Sequence, residues 1–212
     1  QDLLRDANKR IGICSHTRPA AKKFLNQIKT TFETNGLLRS SFPDIIPIKF
    51  DKMKWSEDEG LTLIRQSSTK EPSLYAFGLD SLPTGSHFDI IVFDDIEHED
   101  TVSTPDTIKK YKDRFGLALN LGTDIPGQPN TIFRVIGTLY SDFGVIQDQI
   151  NNAKESNDFH LRYYPGEDEK GEGVYWDQKT LEFKRRQFGS WNYSAQVLLK
   201  PVPPEEQTRS EE

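Results

Sequence analysis

The strongest constraint on the fold is an apolar run at residues 90–93, Ile-Ile-Val-Phe, which ends in the acids Asp94 and Asp95. Four consecutive apolar side chains predict a strand that is buried on both faces, because a strand with one face in water alternates apolar and polar residues. Strands buried in this way occur in parallel sheets that carry helices on both faces. The run therefore favours an α/β fold.

The rest of the chain supplies strand and helix patterns in alternation. Strands are predicted at residues 10–15, 61–65, 73–79, 131–138 and 159–164, of which 61–65 and 73–79 suggest a hairpin. Helices are predicted at residues 17–35, 105–119, 145–150, 180–188 and 191–199. The alternation predicts an α/β fold with a mainly parallel sheet flanked by helices.

Composition narrows the class of protein. The chain has 212 residues, a net charge of −6 and 13 Phe, 7 Tyr and 3 Trp, which argue for a folded domain. No stretch approaches the roughly 20 apolar residues of a membrane span, so no membrane partner is expected. The single cysteine, Cys14, lies in a strand-like run and fits a reducing cytoplasm as a small buried apolar residue.

The acids after the apolar run suggest a site at the sheet edge. Ligands of open α/β sheets bind at the carboxyl ends of the strands, where Asp94 can hold Mg²⁺ through water and Asp95 can polarise an attacking water. Three other interpretations stay open. The acids cap the next turn of a core strand, they form a solvated acidic loop with Glu97, Glu99 and Asp100, or they belong to a two-metal nuclease cluster.

A second feature lies some forty residues downstream, where a predicted strand ends in Gly137-Thr138. If this strand is a neighbour of the apolar run, the Thr138 hydroxyl lies beside the acidic edge. A hydroxyl in that position can sense a γ-phosphate and relay its loss.

Taken together, these segments resemble the ATPase domain of the large terminase subunit of tailed phages and prophages. The matching segments are residues 11–17 (IGICSHT), 72–78 (PSLYAFG), 82–89 (LPTGSHFD), the acidic strand, Gly137-Thr138 with Asp142, and 188–201. The similarity spans roughly residues 5–201. The combination of a Thr-Gly loop, an apolar strand, a double Asp and a later Gly-Thr carries it.

The resemblance implies a P-loop NTPase core of the ASCE type that packages double-stranded DNA with ATP and Mg²⁺. Asp94 matches the Walker B acid that holds Mg²⁺, and Thr138 matches the coupling residue. The family's catalytic acid is usually Glu, so Asp95 and Glu97 both remain candidates. The implied partners are double-stranded DNA, the small terminase subunit, the procapsid portal and further copies in a ring, in the cytoplasm of a bacterial host.

Two departures from the family pattern limit this expectation. The sequence has no G-x-x-x-x-G-K-[S/T] motif, the Walker A loop that cradles phosphates. The resemblance places that loop upstream of Gln1 and a nuclease domain beyond the chain, so the fragment alone is expected to be inactive. Thr84 stands where some relatives carry an arginine finger. Either another residue such as Arg65 or Arg18 supplies the finger, or the mechanism differs, and the finger is left unassigned.

The resemblance also implies a domain organisation. Residues 1–165 are expected to form a partial ATPase core, 166–201 its C-terminal part and 202–212 a tail. Two alternative functions remain: a helicase-like DNA-remodelling ATPase that uses the same acids, or a non-catalytic module that binds partners through the acidic residues 97–100.

Overall fold

The computed structural model describes residues 1–125, 128–129 and 131–200. Its helices are α1 (Asp2–Arg5), α2 (Arg18–Thr34), α3 (Gly36–Ser41), α4 (Pro105–Leu119), α5 (Val145–Glu155) and α6 (Gln178–Gln196), with a 3-10 turn at Glu99–Val102. Its strands are β1 (Ile11–Ser15), β2 (Trp55–Ser56), β3 (Gly60–Leu61), β4 (Leu74–Gly78), β5 (Ile90–Asp94), β6 (Asp124–Ile125), β7 (Gln128–Pro129) and β8 (Ile132–Ile136).

The chain divides into two compact units. The first contains Gln1–Ile96 and Asp113–Ile136, and the second contains Glu97–Lys112 and the chain from Gly137 onward. The first unit therefore holds every strand of the main sheet.

The main sheet has six strands in the order β2-β3-β4-β1-β5-β8. The strands β4, β1, β5 and β8 run parallel to one another. At one end of the sheet, β3 pairs antiparallel with both β2 and β4. The predicted α/β fold with a mainly parallel sheet and flanking helices is confirmed. The apolar run forms β5 between two parallel neighbours, as its lack of alternation indicated.

Helices cover both faces of the sheet in the first unit. α2 follows Thr17, with Pro19 in its first turn, and its buried residues Ala21, Leu25 and Phe32 join the core of β1, β4 and β5. On the opposite face the ring of Phe93 packs at 4.7 Å from that of Phe115 in α4. Because helices bury β5 on both faces of the sheet, β5 has no polar residue before Asp94.

Some elements differ from the sequence-based expectations. The polar segment 51–60 contributes β2, and only Leu61 of the predicted strand 61–65 pairs with β4. Residues 159–164 form no strand, because Phe159, Leu161 and Tyr163 stay exposed without a partner ladder among the described residues. α5 extends five residues past the predicted end at Ile150.

The second unit contains a helical pair within α6. Asp177 caps its start by accepting a hydrogen bond from the Thr180 N–H, and Gly189 bends it with a φ of 69°. The two halves correspond to the predicted helices 180–188 and 191–199. Leu181, Tyr193 and Val197 form the local core, and the predicted tail 202–212 lies outside the described residues.

Within the described chain, no helix combines the length and the apolar composition that crossing a membrane requires.

Candidate functional site

Asp94 is the last residue of β5, at the carboxyl edge of the sheet. It lies in register with Ile136 of β8 and is half-buried. Burial raises the pKa of Asp94 above its ordinary value, and the negative charge of Asp95 raises it further. A cation at this edge would relieve both effects, so the carboxylate suits a magnesium ion held through water.

Asp95 has a constrained backbone and an exposed side chain. Its φ of 48° lies in the left-handed region, which non-glycine residues rarely adopt. Its N–H donates to the Ile136 carbonyl at 3.2 Å, and its own carbonyl accepts from the Ser15 hydroxyl at 3.3 Å. The ends of β8 and β1 thus hold Asp95 from both sides, as is common for strained residues at functional sites.

The pair Asp94-Asp95 does not form a complete metal cage. Among the described residues, no group of three or more His, Cys, Asp or Glu side chains converges on a common point. Magnesium commonly keeps several waters and takes one or two protein carboxylates together with substrate phosphates.

Glu97 has a different environment from Asp95, although both were candidates for the catalytic acid. Its side chain is only 3% exposed, and its Oε1 accepts from the Ile146 N–H at 3.2 Å. Burial raises the pKa of Glu97 to about 7, against the lowering effect of the Ile146 and Val145 amides. Asp95 is the acid that faces solvent, and Glu97 contacts the start of α5.

Thr138 follows β8 by two residues and is half-buried. The role predicted for Thr138 required its strand to be a neighbour of the strand that ends in Asp94. β8 does pair with β5 in parallel. Asp142, four residues on, is exposed in the same loop.

The Thr84-Gly85 loop lies before β5, at the opposite end of that strand from Asp94. The Lys70 ammonium donates to the Gly85 carbonyl, and Gly85 has a φ of 73°, which favours glycine. At the same end Arg10 donates to Asp89 at 2.8 Å. These contacts fasten the amino end of the sheet, and sequence reasoning did not identify Lys70.

The two arginines considered as finger candidates have backbone partners. Arg65 donates to the carbonyls of Thr69 and Glu71 at 3.0 and 2.7 Å. Arg18 donates to the Asp58 carbonyl at 3.0 Å. Both guanidinium groups therefore hold loops of the first unit in this structure.

Comparison with known proteins adds no family assignment: no protein-family model matches the chain, and no curated protein matches its sequence.

Proposed function

We propose that this chain is the Walker B half of an ATP-driven DNA-packaging motor of the large terminase type. The observation that carries the proposal is the placement of Asp94 and Asp95 at the carboxyl end of β5, between the parallel strands β1 and β8. Acids in this position follow the general rule for ligand sites in open α/β sheets. The sequence resemblance supplies the specific reaction.

Asp94 and Asp95 take different parts in the proposed chemistry. Asp94 is half-buried, and its raised pKa shows that its negative charge is disfavoured there. A divalent ion would stabilise that charge. Magnesium with its bound waters supplies charge neutralisation at the β- and γ-phosphates when it is present. Asp95, which is exposed on a fixed backbone, can accept a hydrogen bond from the attacking water and orient it. Thr138 would respond to loss of the γ-phosphate.

The outer edge of β8 can accept a further strand in the proposed site. Among the described residues β8 pairs only with β5, and Ile132, Phe133 and Ile136 are exposed. A strand added in parallel to β8 would end at the same edge as Asp94, because parallel strands share their carboxyl ends. In the proposal, a strand in that position brings a phosphate-binding loop to the same edge.

The wider assembly follows from the same resemblance. Double-stranded DNA, a small terminase subunit, the procapsid portal and further copies in a ring are its proposed partners. ATP and Mg²⁺ are its proposed cofactors, and the cytoplasm of an infected bacterium is its proposed location.

An activity test addresses the incomplete site. We expect the 212-residue chain alone to show no ATP turnover, because its sequence has no G-x-x-x-x-G-K-[S/T] loop to hold the phosphates. Turnover by this chain that Asp94→Ala abolishes would contradict this expectation.

A thermal test separates the motor from an acidic interaction module. The intact gene product should gain thermal stability with MgATP, since a ligand that binds only the folded state stabilises it. Asp94→Asn should reduce that gain, whereas Glu99→Gln in the exposed acidic turn should not. An interaction module would show no response to MgATP in any of these proteins.

A further inference from the structure

Residues 137–144 form a loop whose two ends are both fixed by the segment that follows β5. The loop starts where β8 ends, and there the Asp95 N–H donates to the Ile136 carbonyl at 3.2 Å. It finishes at Gly144, the N-cap of α5, where Glu97 Oε1 accepts from the Ile146 N–H at 3.2 Å. Thr138 lies between these two attachments.

The contact of Glu97 with α5 is closely fitted. The first N–H groups of a helix lack partners within the helix, and Glu97 Oε1 supplies an acceptor for one of them. A Cβ added at Gly144 would lie 2.2 Å from Glu97 Oε1, so any other residue there would displace the carboxylate from its observed position. Val145 and Ile146 beside it are buried.

Two charged side chains lie near the Glu97 carboxyl group and affect its ionisation. Lys112 pairs with Asp148 at 2.8 Å, and both charges act on Glu97, with Lys112 favouring its ionised form and Asp148 opposing it. Glu97 Oε2 is buried and has no hydrogen-bond partner among the described residues. An acid held in this way has no free face for an attacking water, in contrast to Asp95.

We propose that Glu97 is a positioning residue that fastens the start of α5 and thereby fixes the loop that carries Thr138. The structural part of this inference stands on the Glu97 contacts alone. Its catalytic consequence rests on the proposed function, in which Thr138 responds to the γ-phosphate. Glu97 acts through the first turn of α5 on Thr138, and Asp95 orients the water.

Amide hydrogen exchange on the 212-residue chain tests the structural part. Glu97→Ala should speed exchange of the Ile146 amide roughly 10-fold, since it removes the acceptor of that N–H. Glu97→Gln keeps a carbonyl acceptor and should restore most of the protection, and Glu99→Gln is the control. Equal exchange in wild type and Glu97→Ala would overturn the inference. If the alanine variant does not fold, Glu97→Leu, which fills similar space without an acceptor, takes its place with the same expected result.

Steady-state kinetics on the intact gene product tests the catalytic part. Glu97→Ala should lower kcat roughly 10-fold with little change in KM for ATP, because it loosens Thr138 without removing a nucleotide contact. Glu97→Gln should retain most of kcat, whereas Asp95→Asn should not. A Glu97→Gln variant as inactive as Asp95→Asn would make Glu97 the catalytic acid and overturn the positioning role. If the wild type does not hydrolyse ATP, the proposed motor function is refuted. The hydrogen-exchange result then tests the contact between Glu97 and α5 by itself.

Discussion

At the scale of single residues, three neighbouring acids have three environments. Asp94 ends a strand and is half-buried, Asp95 is exposed with a left-handed backbone, and Glu97 is buried against α5. In the sequence the three carboxylates look equivalent. Their difference arises from contacts with Ser15, Ile136 and Ile146, which are distant along the chain, so no local pattern could predict it.

The charge of Asp94 should reduce stability when no cation is present. Because burial raises its pKa, the stability contribution of Asp94 is present below the ordinary value of 3.8 and is lost as the pH rises through the raised value. Near pH 7, Asp94→Asn should therefore stabilise the chain, and only modestly because the side chain is partly exposed to solvent. Thermal unfolding in buffer free of divalent ions measures this.

The control for this prediction is Asp44→Asn, which removes an exposed acid of the same unit and should have little effect. The gain of Asp94→Asn should also shrink at acid pH, where wild-type Asp94 is neutral. A variant less stable than wild type near neutral pH would contradict the account.

Glu97 should produce a stronger dependence of stability on pH. Its pKa is raised to about 7, so its contribution is present below the ordinary value of 4.5 and is lost as the pH rises through about 7. Glu97→Gln should be more stable than wild type near pH 8, by on the order of 2 kcal/mol, and similar to it at acid pH. Denaturant unfolding across this range measures the difference.

Lys112 and Asp148 are the charged groups that act on Glu97 in this titration. Glu99→Gln, at an exposed position two residues on, should follow the wild-type pH profile. Parallel profiles for wild type and Glu97→Gln would show that Glu97 ionises as a solvated acid does.

At the scale of elements, runs of mainly apolar residues decided which strands the sequence could predict. β1, β4, β5 and β8 were all anticipated from such runs. β2 and β3 have two residues each, and their pairing depends on tertiary contacts that short polar segments do not indicate. Residues 159–164 carry an alternating pattern but no partner strand, which shows that alternation alone does not make a strand.

Adding one methyl group at Gly144, between the Thr138 loop and α5, should lower the stability of the chain. Gly144→Ala should destabilise the chain by roughly 2 kcal/mol, because its Cβ would overlap the Glu97 carboxylate while its backbone, with a φ of −81°, is allowed for alanine. Gly116→Ala is the matched control: a Cβ there meets nothing, so alanine should stabilise α4 by roughly 0.5–1 kcal/mol. Denaturant unfolding measures both.

A double variant checks the cause. In a Glu97→Ala background the Gly144→Ala change should cost much less, because the overlapping carboxylate is absent. An unchanged cost would place the clash elsewhere.

The outer edge of β8 should promote self-association of the 212-residue chain. Ile132, Phe133 and Ile136 are 44%, 40% and 55% exposed, and an exposed apolar edge strand pairs readily with other chains. Ile136→Lys should reduce association measured by light scattering, since a charge on an edge opposes pairing. Leu37→Lys, which removes an apolar side chain 79% exposed on α3, should not. Equal association in all three proteins would contradict the role of the edge.

At the scale of the whole molecule, the α/β fold with its mainly parallel sheet and the position of Asp94 at the sheet edge were predictable from the sequence. The P-loop NTPase core stays a prediction. The parallel arrangement of β5 and β8 brings the ends of two predicted strands together, as the interpretation of Thr138 required. The division into two units separates Asp94 and Asp95 in one from Glu97 and Thr138 in the other, which no pattern in the sequence indicated. The motor function itself stays a prediction that rests on the resemblance and on this geometry.

The measurement that tests the central claim most directly is magnesium-dependent ATP hydrolysis by the intact gene product, with Asp94→Asn and Asp44→Asn compared in parallel. The account predicts hydrolysis by the wild type, a loss of roughly 100-fold or more in Asp94→Asn, and wild-type rates in Asp44→Asn. Undiminished hydrolysis in Asp94→Asn, or none in the wild type with Mg²⁺ and ATP, would contradict it.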